Sequence, residues 1–301
     1  MATRSQSDPT PDDVRSPLLE RVRERVDPAL ARFLSDRRAE LAGMDARAGV
    51  LIDELLRLLA AGGKRIRPAL CVYAYGAAGG SDGPPIMKAA AALELLHTFA
   101  LVHDDVMDRT DERRGVESTH VRFAKEAPPG VEPDGYGVSV AILVGDLAAV
   151  LAEQRLRTCG AAPDALHLAI ERFDRMRVEM AAGQLLDLDM ARAAESPDQA
   201  ARRRIAALKT GSYTAEGPVL IGAALADAGP NVEGPLRVYA RSLGDAFQLR
   251  DDVIDGEAPS EAASRVDELA SRAIAAVQSG TLDAVGRDAL VEIASALRMA
   301  D

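Results

Sequence analysis

The chain has 301 residues, of which 48% are hydrophobic, enough to bury a sizeable core. Aromatics are only 3%, Trp is absent, and Ala, Leu, Arg, Glu and Asp dominate, which favours helix over sheet. A net charge of −11 argues against a nucleic-acid partner, because such a partner selects a basic surface.

Residues 1–15 open with MATRSQSDPTPDD, polar and without an apolar core, and read as a disordered tail and not as a signal peptide. From Ser16 the apolar residues recur at helical spacing, beginning with Leu18, Leu19, Val22, Val26 and Leu30. The same periodicity predicts helices over 47–60, 66–79, 84–108, 138–158, 162–190, 198–209, 213–228, 232–256, 260–278 and 283–299, with no period-2 strand between them. Turn chemistry separates them at Gly79-Gly80, Pro128-Pro129-Gly130 and Gly229-Pro230-Asn231. The longest break, 126–137, reads as a mobile surface loop. The expected fold class is all-α, with one helical domain over 16–301. Cys71 and Cys159 stand in apolar helical surroundings and read as buried, reduced thiols of a cytoplasmic protein. No uncharged apolar run reaches about 18 residues, so no membrane span is expected.

One pattern occurs twice. HDDVMD supplies Asp104, Asp105 and Asp108, and RDDVID supplies Asp251, Asp252 and Asp255; each is DDxxD. On a helix, residues i and i+4 share a face, so Asp104 stacks on Asp108 and Asp251 on Asp255, and the like charges repel. The residues before each cluster are apolar around most of the helix, which predicts burial. Buried carboxylates need cations, and oxygen donors in this number suit Mg²⁺. The plainer reading is two acidic helix ends that meet solvent.

Basic groups complement the acidic ones. In GGKRIRP, Gly62 and Gly63 let the backbone approach an anion, and Lys64, Arg65 and Arg67 follow, with Pro68 suited to a first helical turn. Arg67 can grip phosphate in a bidentate way. Arg113 and Arg114 come one to two turns after the first cluster. Lys209 and Thr210 open KTGSYT, and His97 lies about two turns before Asp104. A lone histidine on such a helix is by default a core residue, and a basic turn is by default solvated.

Taken together, GGKRIRP, ELLHTFALVHDDVMDRTDERRG, LVGDL, GQLLDL, KTGSYTAEGP and GDAFQLRDDVID resemble, in order, the motifs of the trans-isoprenyl diphosphate synthases, bacterial geranylgeranyl diphosphate synthases among them. The resemblance runs from about Leu51 to Asp255. It implies an antiparallel bundle of ten or more helices around a central cavity, usually a homodimer. Matched position by position, it gives Lys64, Arg67, His97 and Arg114 to isopentenyl diphosphate. It gives Asp104, Asp108 and Asp251 to Mg²⁺, with Asp105, Asp252 and Asp255 supporting them. Arg113, Lys209, Thr210 and Gln248 go to the allylic diphosphate. Phe99 and Ala100, five and four residues before Asp104, match the positions that stop chain growth. One aromatic followed by a small residue implies geranylgeranyl diphosphate, with farnesyl diphosphate second.

The chain departs from the family in one place. A lysine-bearing loop usually follows the second aspartate cluster. Here VIDGEAP runs directly into SEAASRVDELASRAIAAV, and no lysine occurs after Lys209. A non-catalytic partner subunit is therefore an alternative. A terpene cyclase is another, opposed by the presence of both DDVID and GGKRIRP.

Overall fold

The computed structural model describes residues 16–192, 205, 207–256 and 258–299; the side chains of Ala191, Arg192, Ala207, Lys209 and Thr210 lie outside that description. The expected tail over 1–15 and most of the expected helix over 198–209 also lie outside it. Contacts sort the described chain into two compact units that alternate along the sequence. One takes Glu20–Arg65 and Met87–Thr158. The other takes Ser16–Leu19, Ile66–Ile86 and the chain from Cys159 onward. Both are built almost wholly of helices, as the composition predicts.

In the first unit lie α1 (Pro17–Met44, apart from its first residues), α2 (Val50–Ala60), most of α4 (Pro84–Asp108), α5 (Thr119–Lys125) and α6 (Pro133–Arg157). The apolar stripe of α1 buries Val22, Val26, Leu30 and Leu34. Helix α4 buries Ala89–Leu93, Leu95 and Leu96, so most of its circumference is core. A hairpin of two-residue strands, β1 (Glu112–Arg113) and β2 (Val116–Glu117), pairs Arg113 with Val116. Arg114 and Gly115 at its tip both have positive φ, 56° and 74°, the backbone of a primed hairpin turn. Strands this short leave no alternating pattern, which is why the sequence did not announce them.

The break expected over 126–137 is shorter than that. Helix α6 begins inside it, at Pro133, because Pro suits the first turn and the Glu132 carboxylate accepts from Asp134 N and Gly135 N. Gly137 lets α5 approach, since a Cβ there would lie 2.1 Å from His120 O.

The second unit holds α3 (Ile66–Ala77), α7 (Pro163–Arg192), a π-helical segment (Ala207–Glu216), α8 (Gly217–Leu225), α9 (Pro230–Ile254), α10 (Ala263–Gln278) and α11 (Ala284–Ser295). All nine residues of α8 are buried, and it packs on α3, α7 and α9. The sequence expected an ordinary helix over 213–228. Its first part is instead the π segment, a rare geometry concentrated at functional sites. Gly286 of α11 meets the backbone of α3, and the buried Tyr239 hydroxyl donates to Leu290 O at 2.8 Å. Cys71 and Cys159 are free and buried.

Helices α4 and α6 are each long and apolar enough to cross a membrane by length and composition. The uncharged-run criterion passed over them because Lys88, Glu94 and Asp146 interrupt them. Within the protein, 67% of the apolar window of α4 is buried and 44% of that of α6. The uncovered part of α6 includes Ile142, Leu143 and Val150.

Candidate active site

Both aspartate clusters stand at the C-terminal end of their helix. Asp104, Asp105 and Asp108 close α4, and Asp251, Asp252 and Asp255 close α9, Asp255 as the cap residue. That is the negative end of the helix dipole, where a carboxylate costs stability and a cation restores it. Three carboxylates at each such end are therefore a poor choice for folding and a good one for cation binding.

The burial expected for the clusters is only partly found. Asp105 is the one buried member; Asp104, Asp251 and Asp252 are half-buried, and Asp108 and Asp255 are exposed. Helix α9 is also less enclosed than its apolar residues suggest, with Val238, Arg241 and Asp245 exposed. The apolar run covers the middle of each helix, whereas the aspartates lie in the last turn.

In the first unit Arg113, presented by β1, is the counter-ion. Its Nε donates to Asp105 Oδ1 at 2.6 Å, and its Nη2 lies 3.5 Å from Asp104 Oδ2. Arg114, at the hairpin tip, donates from Nη1 to Gly62 O at 2.7 Å, and its Nη2 lies 3.4 Å from His97 Nε2. A guanidinium can only donate, so His97 Nε2 accepts. The structure thus brings the Gly62–Gly63 turn, Arg114 and His97 together.

Burial pushes the Asp105 carboxyl up to about 6, with the charge of Asp104 adding to the rise and Arg113 opposing it. The folded metal-free chain therefore holds this proton more tightly than the unfolded chain does. The stability so gained is complete below about pH 4 and is lost as the pH rises through about 6. In chelator, Asp105→Asn is expected to remove up to about 3 kcal/mol of that pH dependence, read as the change in unfolding midpoint between pH 4 and 7. An Asn variant with the wild-type slope would assign the proton elsewhere.

In the second unit Arg67 is held by the π segment. Its Nη2 donates to Thr214 Oγ1 at 2.9 Å, and its guanidinium carbon sits 4.3 Å from the centre of the Tyr213 ring. Its Nε is buried without a hydrogen-bond partner. Tyr213 and Thr214 were not among the residues singled out, although they stand in KTGSYT; membership of that motif was the available signal. Gln248 Nε2 donates to Asp252 Oδ1 at 2.7 Å. Lys209 and Thr210 lie on the π segment with side chains outside the described residues.

Phe99 and Ala100 are half-buried on α4. The Phe99 ring meets His103 edge-on at 4.7 Å, and His103 in turn packs on Gly145 of α6, where a Cβ would lie 2.2 Å from its Nε2. Lys64 is half-buried in the segment between α2 and α3.

The donor set at both helix ends is carboxylate oxygen, the chemistry of a hard divalent ion. Among the described residues, no three His, Cys, Asp or Glu side chains form a ready-made cage. Mg²⁺ takes carboxylate oxygen together with waters and substrate phosphate oxygens.

A helical fold that gathers carboxylates at two helix ends and glycine-backed guanidiniums beside one of them belongs to the polyprenyl synthetase family, whose sequence profile matches residues 50–268. The chain is a member of that family, the trans-isoprenyl diphosphate synthases. It is 32% identical over 240 residues to the geranylgeranyl diphosphate synthase of Methanosarcina mazei, covering 75% of this chain and 69% of that one. It is 36% identical over 198 residues to the short chain isoprenyl diphosphate synthase of Methanocaldococcus jannaschii, covering 66% of this chain and 55% of that one. Against the second of these relatives the chain thus spans little more than half the length. The geranylgeranyl pyrophosphate synthase of Corynebacterium glutamicum, solved with isoprenyl diphosphate and magnesium, superposes with a TM-score of 0.82 at 25% identity, covering 92% of this chain and 97% of that one.

Proposed function

We propose that the chain is a short-chain isoprenyl diphosphate synthase, which joins isopentenyl diphosphate head-to-tail to an allylic diphosphate in the presence of Mg²⁺. The observation that carries this reading is the pair of DDxxD clusters at the dipole-negative ends of α4 and α9. Asp104 and Asp108 in the first unit, and Asp251 in the second, would each hold metal, with Asp105 behind the first pair and Asp252 and Asp255 behind Asp251. When bound, the metal supplies charge to a departing diphosphate. Lys64, Arg67, His97 and Arg114 grip isopentenyl diphosphate; Arg113, Lys209, Thr210 and Gln248 serve the allylic diphosphate. The allylic cation formed on departure is attacked by the double bond of isopentenyl diphosphate, and the released diphosphate takes the proton lost as the new double bond forms. Apolar helix faces exclude water from that cation.

Geranylgeranyl diphosphate is the proposed product. Phe99 is the one Phe, Tyr or Trp on α4, and Ala100 beside it is small. Phe99→Ala is expected to remove the stop and lengthen the product by one or more five-carbon units, seen by chromatography. An active variant with an unchanged product distribution would take Phe99 out of this role, and farnesyl diphosphate would then compete as the product.

Helix α6 leaves Ile142, Leu143 and Val150 uncovered at 43%, 54% and 63% exposure, which supports a homodimer. A cytoplasmic location belongs to the same reading. A non-catalytic partner subunit is favoured by one observation: only residues 255–259 separate α9 from the short 3₁₀ turn before α10, where the resemblance implies a lysine-bearing loop. Turnover by the purified chain alone separates the two readings. Product formation that requires isopentenyl diphosphate separates synthesis from cyclisation of the allylic substrate.

A further inference from the structure

The charge pattern of GGKRIRP predicts a solvated basic turn, yet the Arg65 side chain is only 1% exposed. Its Nε donates to Asp27 at 2.7 Å, its Nη1 to Glu94 at 2.8 Å and to Gly62 O at 3.2 Å, and its Nη2 to Leu59 O at 3.0 Å. The residue is held at a φ of 53°, in the left-handed region. A guanidinium this deep is tolerated only when its charge is compensated and its donors are met, and here both conditions hold.

The same turn receives a second guanidinium. Gly62 O accepts from Arg65 and from Arg114 alike. A Cβ on Gly63 would lie 2.6 Å from Arg65 Nη1 and 2.8 Å from Arg114 Nη1, so both cations close on one glycine. Two like charges at this separation would repel each other, but Asp27 and Glu94 compensate Arg65. Arg114 stands at the same turn, with its Nη2 3.4 Å from His97 Nε2. Glu94 and His97 share α4, three residues apart, so the helix that carries the histidine also anchors the turn.

We propose that Arg65 is a positioning residue for isopentenyl diphosphate. It touches no substrate itself, and it fixes the Gly62–Gly63 backbone against which Arg114 is set beside His97. This rests on the function proposed above. It assigns a task to the most deeply buried basic residue of the motif.

Calorimetry in Mg²⁺ with one substrate at a time reads binding without turnover. Arg65→Lys keeps the charge and loses the fork. It is expected to weaken isopentenyl diphosphate about tenfold or more, while farnesyl diphosphate binding stays within about twofold. Glu94→Gln leaves Asp27 in place and is expected to give the same selectivity with a smaller loss; it decides the matter if Arg65→Lys does not fold. A purely structural role would weaken both ligands equally, and that result overturns the inference, as does unimpaired isopentenyl diphosphate binding in a folded variant. Failure of the unaltered chain to bind either ligand overturns the proposed function together with this inference. Binding by the unaltered chain with no selective loss in the variants overturns this inference alone.

Discussion

Alanine at Asp104 or at Asp251 is expected to lower turnover by about 10³-fold or more, the loss of roughly 4 kcal/mol of charge stabilisation at a departing diphosphate. The fold is expected to survive. Each residue stands in the last turn of its helix, where its charge opposes the dipole and its neighbouring carboxylates repel it. Removing either charge should change metal-free stability by no more than about 1 kcal/mol, since at Asp104 the relief of repulsion is offset by the loss of the contact with Arg113 at 3.5 Å. A folding residue would behave in the opposite way, losing stability and activity together. Steady-state kinetics in saturating Mg²⁺, with thermal unfolding in chelator, reads both quantities. Either variant with near-native turnover would remove that aspartate from the metal site.

The second large effect concerns stability alone. Gly222 lies in the fully buried α8, and a Cβ there would stand 2.3 Å from Cys71 O and 3.0 Å from Tyr75 N, both backbone atoms of α3. Backbone cannot rotate out of the way as a side chain can. Gly222→Leu must push two core helices apart and lose the packing of Leu220, Ala223 and Ala224. The expected cost is about 3 kcal/mol or more, a fall in unfolding midpoint of roughly 6–12 °C for a chain of this size. A midpoint within about 2 °C of the unaltered protein would mean that α3 and α8 do not pack as described.

Much of the architecture was legible because long amphipathic and apolar helices announce themselves. Helix α4 occupies the residues expected of it, bounded by Pro84 at one end and the aspartate cluster at the other. Elements too short for a period were missed. Helix α5 has seven residues and each strand of the hairpin two, so neither builds a recognisable repeat. The π segment was hidden for another reason. Its apolar spacing is compatible with an ordinary helix, and its contacts are with α7 and α9, far away in sequence for much of their length.

The site was legible in part. Aspartates in a repeated pattern, and basic residues after paired glycines, carry their chemistry in their residue types. Their burial was not legible, since apolar neighbours in the middle of a helix say little about its last turn. Arg65 is the clearest case. Its partners Asp27 and Glu94 lie 38 and 29 residues away, and nothing local distinguishes it from Lys64 or Arg67. Long-range ion pairing turned a residue of the basic turn inward. Similarly, Arg113 was matched to an allylic diphosphate, and in the protein without ligand it serves first as counter-ion to Asp104 and Asp105.

The central claim is that this chain elongates an allylic diphosphate with isopentenyl units in a metal-dependent way. The most direct test is to incubate the purified chain with Mg²⁺, labelled isopentenyl diphosphate and farnesyl diphosphate, and to chromatograph the dephosphorylated products. The account predicts labelled geranylgeraniol that disappears when the metal is chelated. Label that stays in the five-carbon alcohol, with each allylic primer in turn and with Mg²⁺ present, would contradict it.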